Sequence, residues 1–239
     1  MNKHIMVLLA SAGSLLLADE PRSLKDLPDP FSTGNEYRQA LEKHSGKPYE
    51  AEVPVETLTK VFKEPLLASP ELQGKEIYRF THFPTFHKPM TFRLEVIDEA
   101  HATLSVKRLS GKGGYDLGKV EHSFSRNLSG ETLEKLLKKL REPRAHSPYG
   151  SLSQEHVEYL WGLDGSSWFL ERRTNDKFHC TFVWSARSLP GTKKMLLNEG
   201  SKAYRQLDPE PFISACLALA AAAGLGQADN QDVFEAVDQ

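Results

Sequence analysis

Cysteine is nearly absent: Cys180 and Cys216 are the only two in 239 residues, and their spacing carries no metal-site signature. An excess of either charge is also missing. Thirty Lys and Arg against 32 Asp and Glu give a net charge of −2, so nothing draws the chain to DNA, RNA or anionic lipid. The motifs that usually announce catalysis are lacking too. No Gly-x-Ser-x-Gly elbow occurs, and Ser166 and Ser167 stand at the start of a strand rather than at a strand-to-helix turn. No His-Glu-x-x-His is present, and the Gly-rich stretch Ser110-Gly111-Lys112-Gly113-Gly114-Tyr115 does not match a P-loop. No internal repeat or low-complexity tract appears.

What is present begins at the amino end. Lys3 precedes an apolar run from Val7 to Leu17 that stops at Ala18, just before Asp19-Glu20-Pro21. This is the pattern of a signal peptide over residues 1–18, cleaved after Ala18. The run is about half of the roughly 20 residues that cross a bilayer, so no transmembrane span is expected once it is removed. The expected location is the periplasm or the outside of the cell, away from nucleotide and nicotinamide pools, and no cofactor is expected.

Residues 19–74 read as a Pro-rich arm. Seven of the 14 prolines fall between Asp19 and Pro70, and that density removes donors and restricts neighbouring residues. Two helical patches interrupt it, around Asn35 to His44 and Val55 to Phe62. A folded domain is expected over residues 75–225. Strand-like runs cover Ile77 to His82, Thr91 to Ile97, Ala102 to Leu109 and Leu117 to Phe124, with short connections that imply antiparallel neighbours. Leu133, Leu136, Leu137 and Leu140 make one helical stripe after Ser129, ending at Pro143. A short helix capped by Ser153 follows. Two further strands, Ser167 to Arg173 and Phe178 to Trp184, flank Thr174-Asn175-Asp176, and a helix from about Pro209 to Ala223 closes at Gly224. The order predicts an α+β fold: an antiparallel sheet of about six strands with helices on one face. Residues 226–239 form an acidic tail.

Candidate chemistry is sparse. With the late hairpin turning on Asn175, Trp168 faces Phe182, Leu170 faces Cys180 and Glu171 faces His179, which makes Glu171 and His179 the candidate acid–base pair or else an ordinary cross-strand charge pair. The Gly-rich loop reads as a hairpin connection, or as an anion nest with Lys107, Arg108, Lys112 and Lys119 as its cations. His82, His87, His101 and His122 with Glu95 lack any recognised metal spacing, and no metal is assigned. Cys180 and Cys216 both lie on apolar stripes. They are either bridged or two buried thiols, and neither is a nucleophile candidate.

Three stretches carry a resemblance: Tyr78-Arg79-Phe80-Thr81 with Phe86-His87-Lys88-Pro89, the run Lys107 to Tyr115, and Asp164 to Glu171 followed by Phe178-His179 and Trp184-Ser185. Over residues 76–225 the chain resembles a group of uncharacterised exported bacterial proteins. The resemblance implies a shared fold and export, and transfers no catalytic residue. Cys180 stands where an aliphatic residue is expected and Ala186 where proline often follows Trp-Ser. The polar set Arg79, His87, Lys107, Glu171 and His179, with Lys112, is the expected binding surface. The expected function is a non-catalytic binding or interaction module contacting a protein or glycan of the envelope. The alternatives are a hydrolase using a histidine and a carboxylate, and a small-ligand carrier.

Overall fold

The computed structural model describes residues 57–162, 165–175 and 177–225. The expected signal peptide, the helical patch at Asn35 to His44 and the acidic tail lie outside the described residues. Six strands make one antiparallel sheet: β1 (Glu76–Pro84), β2 (Met90–Val96), β3 (His101–Leu109), β4 (Val120–Ser129), β5 (Ser166–Thr174) and β6 (Lys177–Trp184). Their order across the sheet is β4-β3-β2-β1-β5-β6. The first four strands form a meander, with short turns between β1, β2 and β3 and a longer loop over 110–119 before β4, and the β5–β6 hairpin returns to pair with β1. The fold is α+β, as the order of elements predicts.

Helices cover one face. Helix α1 (Gly130–Leu140) buries Leu133, Leu136, Leu137 and Leu140, the spacing of a single stripe. Glu131 in its first turn and Lys138 and Lys139 in its last complement the helix dipole, although Ser129 makes no side-chain capping bond. The short α2 (Gln154–Glu158) is capped by Ser153, whose hydroxyl accepts from the His156 amide. The expected terminal helix is α4 (Glu210–Ala222), which buries Phe212, Cys216 and Leu219 and is followed by Gly224 at φ 86°. These helices pack on Tyr78, Phe80, Phe92, Leu94, Leu104, Val106, Trp168, Leu170 and Val183, which alternate along their strands onto one side.

Three expectations are corrected. Helix α3 (Leu189–Asn198) was not foreseen, because Pro190 and Gly191 read as breakers; proline in the first turn costs no hydrogen bond. The fourth strand is Val120–Ser129 rather than Leu117 to Phe124. Leu117 belongs to a loop tied by Ser110 N to Lys119 O (2.9 Å) and Lys112 N to Asp116 O (2.8 Å). Residues 121–127 of this edge strand are exposed on both faces, so no apolar alternation marked it.

The third correction is the boundary at Lys75. The end of the Pro-rich arm packs across the second face of the sheet, where Leu58, Phe62, Phe83, Leu109, Leu117 and Phe169 form a second core. Phe62 meets Phe83 edge-on at 5.9 Å. Burying each such side chain contributes about 1.5–3 kcal/mol, so residues 57–74 belong to the folded unit. With both faces covered, β1 is buried from Ile77 to Pro84.

Candidate functional site

The β5–β6 register decides where the candidate residues stand. Thr174 pairs with Lys177, leaving two residues in the loop, with Asn175 at φ 52°, a left-handed conformation that asparagine tolerates. The expected three-residue loop was one residue too long. Trp168 therefore faces Val183, Glu171 faces Cys180, and His179 faces Arg172. A one-residue shift turns every side chain of one strand to the other side. Glu171 and His179 lie on opposite faces of the sheet, and the proposed acid–base pair does not exist.

Glu171 works on the face under the arm. Its carboxylate takes two bonds from Arg79, Nε at 2.5 Å and Nη2 at 2.6 Å, and both side chains are almost wholly buried. Arg79 Nη1 also donates to Pro65 O at 2.7 Å. Glu64 of the arm sits between Arg93 Nε (2.7 Å) and Lys107 Nζ (2.7 Å), while Lys107 donates to the carbonyls of Phe62 (2.9 Å) and Lys63 (2.8 Å). Arg173 reaches Leu67 O (2.6 Å) and Leu72 O (2.8 Å). The cause lies in the arm: between its short helical turns at Thr57–Val61 and Pro70–Leu72 the backbone is irregular, and its buried carbonyls need donors from outside. Arg79 on β1, Lys107 on β3 and Arg173 on β5 supply them, while Arg93 on β2 holds the Glu64 carboxylate. Arg79, Lys107 and Glu171, expected as a binding surface, are thus a clamp that holds the arm.

The opposite face carries a different cluster. Tyr78, Arg172 and His179 are direct cross-strand partners on β1, β5 and β6, so they form one row on the helix-covered side. His146, from the turn Pro143–His146, spans that row: its ring centre is 6.4 Å from Tyr78 and 5.9 Å from His179. Hydrogen bonds fix both tautomers. His146 Nε2 donates to Leu140 O (2.8 Å), leaving Nδ1 as a buried lone pair with no partner among the described residues. His179 Nε2 donates to His146 O (3.0 Å), which also accepts from Thr181 Oγ1 (3.1 Å). Burial pushes the His146 ring below the usual histidine range, and the charges of Arg172 and His179 add to that against the Leu140 bond.

Arg172 is the exception among the buried and half-buried arginines of the described residues. Arg79, Arg93, Arg108, Arg141 and Arg173 each reach a carboxylate or carbonyl. Half-buried Arg172 has its guanidinium carbon 6.0 Å from the centre of the Tyr78 ring, and its Nε is buried without a hydrogen bond. The nearby Glu76 is already occupied by Tyr78 Oη (2.7 Å) and by Arg141 through Nε and Nη2 (both 2.9 Å); the Arg141 bonds hold its carboxyl below the usual range. Arg172 was not singled out from the sequence; only the true hairpin register brings it beside His179.

The remaining candidates are dispersed. In the Gly-rich loop the amides of Gly113 and Gly114 donate to His87 O (3.1 Å) and Thr85 O (2.8 Å), so the donors of an anion nest are used to seat the loop. A Cβ at Gly113 would collide with the Pro84 carbonyl, which is why glycine is required there. Lys112 and His87 are exposed. His82 is buried against Trp168 at 5.4 Å, His101 bonds Asp98 at 2.9 Å and Glu95 bonds Lys75 at 2.6 Å. Among the described residues, no three His, Cys, Asp or Glu side chains gather as metal ligands. The cysteines are free thiols: Cys216 lies in the helix-side core, and Cys180 packs against the arm-side core. The sheet separates them, so the disulfide alternative falls, and burial pushes both thiols up.

No helix among the described residues is long and apolar enough to cross a membrane. Comparison with protein-family models, curated proteins and solved structures finds no match.

Proposed function

We propose that the protein is a non-catalytic binding module of the cell envelope or extracellular space, exported through residues 1–18, with Arg172 and His179, seated beside the buried Tyr78, as its contact site. The observation that supports this is the state of Arg172. A guanidinium half-withdrawn from water, which feels Glu76 only through space and bonds no carboxylate of the described residues directly, is costly to hold, and an anionic group on a partner would relieve that cost. The residues that motivated a hydrolase do not favour that reading, since general acid–base groups must lie within hydrogen-bond reach of one another or of a common substrate. Kinship with the exported group that residues 76–225 resemble is part of the same proposal.

The test has two parts. Fractionation should recover a chain lacking its first 18 residues outside the cytoplasm; an intact polypeptide starting at Met1 among cytosolic enzymes would overturn export. Immobilised protein should retain an envelope component that Arg172→Gln fails to retain while melting at the same temperature. Equal retention by both proteins would remove the row from the binding site.

A further inference from the structure

What the row accepts follows from the donors and acceptors it leaves uncommitted, and the inference rests on the reading of that row as the binding site. Arg172 offers positive charge and N–H donors that no carboxylate or carbonyl among the described residues meets. His179 has committed Nε2 to the His146 carbonyl, so only its Nδ1 is left for a ligand. His146 makes the opposite demand. Its Nε2–H is spent on Leu140 O, and its bare Nδ1 requires a donor. Glu76 acts on Arg172 only through space, since its carboxylate oxygens are bonded to Tyr78 and to Arg141, which also binds Glu99 at 3.0 Å.

A plain anion satisfies Arg172 but sets an oxygen lone pair against that of His146. An oxyanion bearing its own O–H satisfies both. We propose that the row binds such an oxyanion, either hydrogen phosphate or an acid with a hydroxyl beside its carboxylate, with the charged oxygens on Arg172 and the O–H donated to His146 Nδ1.

Phosphate and sulfate separate the two demands, because they share shape and charge and differ in the proton. Isothermal titration of the intact protein at pH 8, where phosphate is mostly the dianion, and matched ionic strength would use sodium phosphate, sodium sulfate, 1-hydroxycyclohexanecarboxylate and cyclohexanecarboxylate. The expected result is a preference of at least about tenfold for one O–H-bearing anion over its bare counterpart, since a buried acceptor left unpaired is penalised. Preference within the phosphate–sulfate pair identifies a phosphate source, and preference within the carboxylate pair a hydroxy acid. Arg172→Gln should abolish binding of all four, and His146→Phe should collapse the preference while sulfate binding persists. Equal binding within both pairs by the wild type overturns the O–H requirement; the binding reading survives that result if Arg172→Gln still abolishes affinity. Binding of none of the four overturns the inference, and envelope capture insensitive to Arg172→Gln overturns the reading beneath it.

Discussion

Arg79 and Glu171 show how one pair of residue types serves two opposite purposes. An arginine and a glutamate on strands make a binding surface when they face water and a structural tie when they are covered, and identity alone does not say which. Here the pair is almost wholly buried and doubly bonded, so removing one partner leaves the other as an uncompensated charge. Arg79→Leu is expected to cost about 3–5 kcal/mol in urea denaturation, while Arg79→Leu with Glu171→Leu recovers at least half of that. Recovery remains incomplete because Pro65 O also loses its donor. A double variant as unstable as the single one would show that the arm contact, not the ion pair, carries the energy.

At the level of elements, what was legible in the sequence tracks how strongly each element's pattern is enforced by one buried face. The leucine stripe of α1 and the alternation in β3 each answer to one core, and both were readable. Strand β4 answers to none along most of its length, α3 hides its start behind Pro190, and the hairpin register hangs on whether Thr174 belongs to the strand or to the loop. The arm misled for a physical reason: prolines break long helices and central strands, but they do not prevent an irregular segment with short helical turns, Thr57–Val61 and Pro70–Leu72, from docking when side chains supply its missing donors. A chain truncated to begin at Lys75 therefore loses Leu58, Phe62 and Leu67 and uncovers Phe83 and Phe169. It is expected to show no cooperative thermal transition, or one lowered by well over 10 °C, in circular dichroism. Melting within a few degrees of the intact protein would show that the arm is dispensable.

For the whole molecule, two cores sharing one sheet make acid stability a global property, because β1 contributes to both and any charge forced into it loosens both sides. His82, on β1, is pushed down to about 3, first by burial and then by the charges of His87 and Arg187. His146 is lowered in the same direction. Between its depressed folded value and the ordinary value near 6.5, a histidine binds its proton more readily in the unfolded chain, so stability rises with pH across that window and is lost as pH falls. The carboxyls of Glu76, Glu95 and Glu121 are also lowered, which has the same sign but acts only below their unfolded values near 4.5. From pH 6.5 to 4.5 the histidines thus dominate, at up to about 1.4 kcal/mol per pH unit for each fully buried ring. Urea denaturation at pH 7.5, 6.5, 5.5 and 4.5 should show a plateau above pH 7 and a loss of about 2–4 kcal/mol by pH 4.5. His82→Phe, which keeps a somewhat larger aromatic ring against Trp168 and Phe80 but takes up no proton, should flatten that slope whatever its stability at pH 7.5. An unchanged slope in this variant would mean that His82 is not the group whose protonation unfolds the protein, and the acid sensitivity would then have to originate at His146 in the candidate site itself.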